Sequence, residues 1–169
     1  MVVQLKFKIH QIRHYYMIKT VKKSFHTGSV KKTILIKASK DKVWRKISNI
    51  AGLPTWVVDV KKTVYLSKKK IDVGVIRLIT FGDGSKIEEH VVAWKKGEYF
   101  TYIATEGLPL RAYVATISIN AKSKNTVELT WQSYLNSKKM SEKQFLEFLA
   151  FMGSFYEASL ENLKVLLEK

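Results

Sequence analysis

Residues 141–169 read SEKQFLEFLAFMGSFYEASLENLKVLLEK, and this proline-free stretch decides the fold. Ser141 followed by Gln144 is an S-x-x-Q capping box, which signals the start of a helix. The spacing i, i+3, i+4, i+7 then continues along one helix face. The positions on that face are Phe145, Phe148, Leu149, Met152, Phe155, Tyr156, Ser159, Leu160, Leu163, Leu166 and Leu167. We therefore predict one long amphipathic helix, which needs a broad surface to cover its apolar face.

The upstream chain supplies that surface as short segments rich in β-branched and aromatic residues. The predicted strands are Val30–Ala38, Val57–Ser67, Val73–Phe81, Lys86–Trp94, Tyr99–Thr105, Leu110–Asn120 and Thr126–Asn136. Ser39 caps a short helical insertion after the first strand, and residues 82–85 (GDGS) form a hairpin turn. Because consecutive strands joined by short turns are usually antiparallel neighbours, the order β-αα-β6-α predicts an α+β fold. A curved seven-stranded antiparallel sheet would wrap around the C-terminal helix.

The first 29 residues are interpreted as a basic, flexible extension, and residues 30–169 as the domain. The extension carries Lys and Arg but no acidic residue. Targeting peptides are also acid-poor, although they are usually Arg-rich; translation from Met17 is a further alternative. His10 and His14 have the spacing of two metal ligands on a helix. No third ligand or carboxylate lies nearby in the sequence, so we predict no metal site.

Composition narrows the class of protein. The chain has no cysteine, which excludes disulfides and thiolate chemistry, and no apolar run approaches the ~18 residues of a membrane span. The net charge is +16 and is carried mainly by Lys. This excess indicates either a composition or solubility feature, or a partner such as nucleic acid or an anionic membrane surface. We predict a cytoplasmic location, with organelle targeting through the basic N-terminus as the alternative.

Short motifs follow one another in a distinctive order between residues 36 and 131. They are Ile36-Lys37-Ala38-Ser39-Lys40-Asp41-Lys42-Val43-Trp44, then Trp56, Gly74-x-x-Arg77, Glu89-His90-Val91-Val92-Ala93-Trp94, Gly107-Leu108-Pro109 and Val127-x-Leu129-x-Trp131. In this order they resemble the START-like superfamily of polyketide cyclases/dehydrases and lipid-transport proteins, over roughly residues 30–168. The resemblance implies a helix-grip fold with a ligand cavity between the sheet and the C-terminal helix. Its members include carriers, sensors and enzymes, so the fold does not decide the function.

Arg77, Glu89 and His90 are the main polar candidates. Arg77 lies in an otherwise apolar strand, and the other two lie across the predicted hairpin. A two-residue loop would pair Arg77 with His90, whereas one more residue would pair it with Glu89; the sequence leaves this register open. The three residues form either an ion pair on the solvated face or a polar group inside the cavity. Inside the cavity they could hold a carboxylate, carbonyl or phenol group of a ligand. If the protein is an enzyme, Arg77 would stabilise an enolate and Glu89 or His90 would act as general acid or base.

Aromatic residues of the later strands and of the helix are expected to form both the core and the cavity wall. The predicted ligand-binding residues are Arg77, Glu89, Tyr102, Tyr113, Trp131, Phe148, Met152 and Phe155. No standard catalytic motif is present, and no cofactor is predicted. The leading hypothesis is binding or transport of a small hydrophobic ligand such as a lipid, polyketide or quinone. The alternatives are a cyclase or dehydratase acting on a hydrophobic substrate, and a basic module that binds RNA, ribosomes or membranes.

Overall fold

The computed structural model describes residues 26–137 and 139–169. Seven strands and two α-helices follow in the order β1–α1–β2–β3–β4–β5–β6–β7–α2. The strands are β1 (His26–Ile36), β2 (Val60–Tyr65), β3 (Ile76–Phe81), β4 (Lys86–Lys95), β5 (Tyr99–Glu106), β6 (Ala112–Ser123) and β7 (Thr126–Ser137). The helices are α1 (Lys40–Ile47) and α2 (Glu142–Leu167).

The strands form one antiparallel sheet in the order β1-β7-β6-β5-β4-β3-β2. Strands β2 to β7 are neighbours in sequence order, and β1 completes the sheet by pairing with β7 over its whole length. This arrangement confirms the predicted α+β fold, a seven-stranded antiparallel sheet with a long C-terminal helix. The long pairing places the first strand of the domain, β1, beside the last strand, β7. After β7 the chain continues into α2, which crosses the sheet.

Helix α2 begins where the capping box predicted. The Ser141 hydroxyl accepts a hydrogen bond from the Gln144 backbone N–H, and Gln144 Oε1 accepts from the Ser141 N–H at 2.9 Å. The helix packs on the sheet through an apolar face, where the Tyr156 ring stacks on Trp131 with centroids 4.1 Å apart. The residues buried on this face are Phe145, Met152, Tyr156, Ser159, Leu160, Leu163 and Leu167. Leu166, predicted on the same face, is 39% exposed.

Several predicted boundaries need correction. Strands β2 and β3 begin at Val60 and Ile76, not at Val57 and Val73, so the residues just before each of them are irregular. The first strand begins at His26, not Val30, and Gly28 lies so close to α2 that a Cβ there would be 2.7 Å from Leu149 Cδ1. The second helical segment of the predicted insertion is only a three-residue 3-10 helix, Leu53–Thr55. Pro54 lies in its first turn, where the missing N–H is tolerated but favours a short segment. Residues 1–25, including His10 and His14, lie outside the described residues.

Candidate functional site

A cavity of about 770 Å³ lies between the concave face of the sheet and α2. Strands β2 to β7, the segment before β2 and the helix all contribute to its walls. The Ser159 hydroxyl accepts a hydrogen bond from the Val58 backbone N–H at 3.2 Å, which joins α2 to the segment before β2. The volume lies within the ~300–1,000 Å³ typical of pockets for small organic ligands.

An ion pair between Arg77 on β3 and Glu89 on β4 forms the polar end of the cavity. Arg77 Nε donates to Glu89 Oε2 at 2.8 Å and Nη2 lies 2.6 Å from the same oxygen. Nη1 donates to the Ile50 carbonyl at 3.0 Å, and the guanidinium lies over the Tyr102 ring, 4.9 Å from its centroid. Burial raises the pKa of the Glu89 carboxyl, and the Arg77 charge opposes that rise.

The hairpin loop decides which residue faces Arg77. The Phe81 N–H donates to the Ser85 carbonyl at 2.9 Å, which leaves a three-residue loop, 82–84, between them. Arg77 therefore pairs with Glu89. His90 lies on the opposite face of the sheet, where its Nε2 is 2.7 Å from Glu88 Oε1, and it does not line the cavity. Of the three polar candidates whose register the sequence left open, the structure places Arg77 and Glu89 at the cavity and His90 outside it.

Three buried tyrosines surround the ion pair. The Tyr113 and Tyr156 hydroxyls lie 2.6 Å apart, and the Trp131 indole N–H donates to the Tyr102 hydroxyl at 2.9 Å. Burial raises the pKa of all three phenols above the ordinary tyrosine value. They therefore remain neutral near pH 7 and provide hydroxyl groups rather than charges.

The predicted ligand-binding residues come together at this cavity. All eight line its walls: Arg77, Glu89, Tyr102, Tyr113, Trp131, Phe148, Met152 and Phe155. Other wall residues are not among these eight, such as Val57, Val58 and Phe151. Phe151 could have been found from its helical spacing with Phe148 and Phe155. Val57 and Val58 lie in an irregular segment, where no periodicity reveals which side chains face inward.

Exposed wall residues mark the mouth of the cavity. Phe151 is 60% exposed, although its ring contacts Phe155 at a centroid distance of 6.2 Å. Asp59 and Asp83 are also exposed and line the cavity. The Ser85 hydroxyl and backbone N–H hold the pKa of Asp83 below its usual value, so this carboxylate is ionised near pH 7. The mouth therefore combines apolar surface with negative charge.

Within residues 26–137 and 139–169, no three or more His, Asp or Glu side chains are grouped so that they could hold a metal ion. Neither helix in this part of the chain is long and apolar enough to cross a membrane.

Residues 27–168 match the model of a protein family described as polyketide cyclase/dehydrase and lipid transport. This match spans the sheet, α2 and every residue of the cavity. The chain belongs to the polyketide cyclase/dehydrase and lipid transport family. The match of this family model confirms the START-like resemblance seen in the sequence motifs. No curated protein matches the chain.

Solved structures share the fold of this family member at low sequence identity. An uncharacterised Bacillus thuringiensis protein has a TM-score of 0.72 and 21% identity, covering 84% of this chain and 100% of its own. XoxI from Bacillus cereus has a TM-score of 0.67 and 22% identity, covering 85% and 95%. A point mutant of norcoclaurine synthase from Thalictrum, in complex with a transition-state analogue, has a TM-score of 0.66 and 18% identity, covering 85% and 96%. At these identities the likeness shows the fold alone.

Proposed function

We propose that this protein binds a small hydrophobic ligand in the cavity between the sheet and α2, as a carrier or sensor. The observation that carries the proposal is the cavity itself, whose volume of about 770 Å³ is large for an ordinary packed core. Its walls are mainly apolar and aromatic, with one buried polar group at Arg77 and Glu89. This combination suits a ligand with an apolar body and one polar end.

The family description, which names lipid transport, supports the same function. A core without a cavity would have favoured the basic interaction module, whereas this cavity favours ligand binding. Partners for the excess positive charge, such as nucleic acid or an anionic membrane, and the cytoplasmic location remain predictions from the sequence.

Native mass spectrometry of freshly purified protein tests the proposal. We expect a non-covalent adduct that disappears on denaturation, and binding of pyrene as an apolar probe. Ala158 lines the cavity, whereas Ala150 is exposed on the same helix outside it. Ala158→Phe should therefore reduce both signals and Ala150→Phe should leave them unchanged. A wild-type protein with neither adduct nor pyrene binding would overturn the proposal.

An enzyme is the second candidate function, and Glu89 is the observation that favours it. A buried carboxyl group with a raised pKa at the end of a cavity is suited to general acid or base catalysis. Norcoclaurine synthase, which shares the fold, was solved with a transition-state analogue. If the co-purified ligand is converted by the wild type but not by Glu89→Gln, at unchanged affinity, the protein is an enzyme and not a carrier.

A further inference from the structure

The cavity wall has more acidic than basic residues, whereas the whole chain has an excess of basic residues. The protein has a net charge of +16, yet the cavity walls carry one cationic residue and three acidic ones. The cation is Arg77, and the carboxylates are Glu89, Asp59 and Asp83. The residues lining the cavity therefore carry an excess of negative charge, which does not favour an anion.

The one cation in the wall is already neutralised. Both contacts of Arg77 with Glu89 use Oε2, at 2.8 and 2.6 Å, and a third N–H of Arg77 is used by the Ile50 carbonyl. Arg77 and Glu89 are only 2% and 6% exposed, so little water can screen an added charge. A ligand carboxylate placed here would lie beside Glu89 without a counter-ion of its own, and a buried unpaired charge is strongly unfavourable.

The hydrogen-bonding groups favour a different polar end. Oε1 of Glu89 accepts neither of the Arg77 contacts and is available to a donor on a ligand. The Tyr102 hydroxyl accepts the Trp131 N–H and also has Tyr113 as a side-chain hydrogen-bond partner, so Glu89 Oε1 remains the acceptor for a donor on a ligand. A hydroxyl group both donates and accepts, and it adds no charge to the site.

We propose that the cavity selects an uncharged hydrophobic ligand whose polar end is a hydroxyl that donates to Glu89, and that it rejects carboxylates of the same size. This inference rests on the proposed function, because it requires that the cavity binds a ligand. Glu89 is then the residue that determines specificity, with Asp59 and Asp83 repelling anions at the mouth.

Three probes that share one ring system show whether the cavity prefers a hydroxyl, no polar group or a carboxylate: 1-hydroxypyrene, pyrene and 1-pyrenecarboxylate. Fluorescence titration of the wild type near pH 7 should give the tightest Kd for 1-hydroxypyrene and at least a tenfold weaker Kd for 1-pyrenecarboxylate. If the carboxylate binds as tightly as 1-hydroxypyrene or tighter, this inference is wrong while the proposed function stands. If none of the probes binds, this inference is wrong, and the proposed function is wrong as well where native mass spectrometry also shows no adduct.

Glu89→Gln tests the role of the carboxylate. The substitution leaves the Arg77 charge without a counter-ion, so we expect the preference to reverse toward 1-pyrenecarboxylate. Bound 1-pyrenecarboxylate should also raise the melting temperature of this variant more than 1-hydroxypyrene does. Glu88→Gln is the matched control, because Glu88 is the adjacent residue of β4, on the outer face beside His90. An unchanged preference in Glu89→Gln would overturn the assignment.

A pair of substitutions at the mouth provides a test that does not depend on a buried site. Asp59→Asn with Asp83→Asn keeps a side-chain oxygen at each position, including the Asp83 Oδ1 that accepts the Ser85 N–H at 2.8 Å. Asn also tolerates the positive φ of 56° at Asp59. We expect Kd for 1-pyrenecarboxylate to tighten severalfold relative to Kd for 1-hydroxypyrene. Equal changes for both probes would show that the mouth does not select by charge.

Discussion

The Arg77 guanidinium and the Glu89 carboxylate form an ion pair across β3 and β4, with Nη2 and Oε2 2.6 Å apart in the protein interior. Burial disfavours each charge alone, so each group depends on the other. The ion pair is also the polar end of an otherwise apolar cavity. Its effect on stability and its effect on ligand choice can be measured separately.

Removing one partner of this ion pair should strongly destabilise the protein. Arg77→Met and Glu89→Gln should each lower the free energy of unfolding by ~3–5 kcal/mol, because an unpaired buried charge or donor remains. Urea denaturation measures this change. Glu88→Gln, at the exposed side of β4, should cost less than ~1 kcal/mol. The double variant should cost clearly less than the sum of the two single variants; additive costs would contradict coupling between the two groups.

The buried tyrosines should make the protein sensitive to high pH. Burial raises the pKa of Tyr102, Tyr113 and Tyr156 in the folded state above the ~10 expected when unfolded. Their contribution to stability is therefore fully present below about pH 10 and is lost as the pH rises through the folded-state pKa values. In an ultraviolet titration these phenols should ionise only as the protein unfolds. Ionisation of every tyrosine near pH 10 with the fold intact would contradict this prediction.

Phe155 and Phe145 lie on the same helix and should behave differently. Phe145 is 3% exposed and outside the cavity wall, so Phe145→Ala should cost ~3–5 kcal/mol and leave pyrene affinity unchanged. Phe155 is half-buried and lines the cavity. Phe155→Ala should therefore cost less than ~3 kcal/mol and weaken pyrene binding. Calorimetry measures the loss of stability and fluorescence titration measures pyrene affinity. The opposite pattern would show that Phe145 contacts the ligand and that Phe155 belongs to the packed core.

Two glycines should respond differently to alanine. A Cβ at Gly153, inside α2, would meet only Lys32 Cε, at an ordinary 3.7 Å, so Gly153→Ala should stabilise the protein by ~1 kcal/mol. A Cβ at Gly28 would lie 2.7 Å from Leu149 Cδ1, so the end of the Leu149 side chain must shift and Gly28→Ala should be less favourable than Gly153→Ala. Denaturant midpoints measure both effects. A destabilising Gly153→Ala would show that α2 needs glycine there for close packing or a bend.

Two N-terminal truncations test the domain boundary. Removing residues 1–25 should leave the melting temperature within a few degrees, because their basic, weakly patterned sequence predicts a segment that adds little to the core. Removing residues 1–28 also deletes His26, which stacks on Phe145 with centroids 5.9 Å apart, and Gly28, which approaches Leu149. This second truncation should lower the melting temperature further. Equal effects would support a domain that begins at residue 30.

The sequence by itself determined the architecture of this protein. Local sequence signals were sufficient to predict α2, because a capping box and a helical period act within a few residues of each other. The hairpin turns and the alternating strands likewise fixed the antiparallel order. Boundaries were less certain: β1 starts at His26 because pairing with β7 and packing against α2 extend it beyond the residues that read as a strand.

Tertiary structure decided which polar residues face the cavity. A change of one residue in the loop at Gly82 to Gly84 exchanges Glu89 and His90 between the two faces of the sheet, because side chains alternate along a strand. The sequence contains both possibilities, and hydrogen bonding between Phe81 and Ser85 selects one. Asp59 and Asp83 are distant in sequence and reach the same mouth only through the fold. The charge balance of the cavity is therefore a property of the folded chain, since composition alone indicates a basic protein.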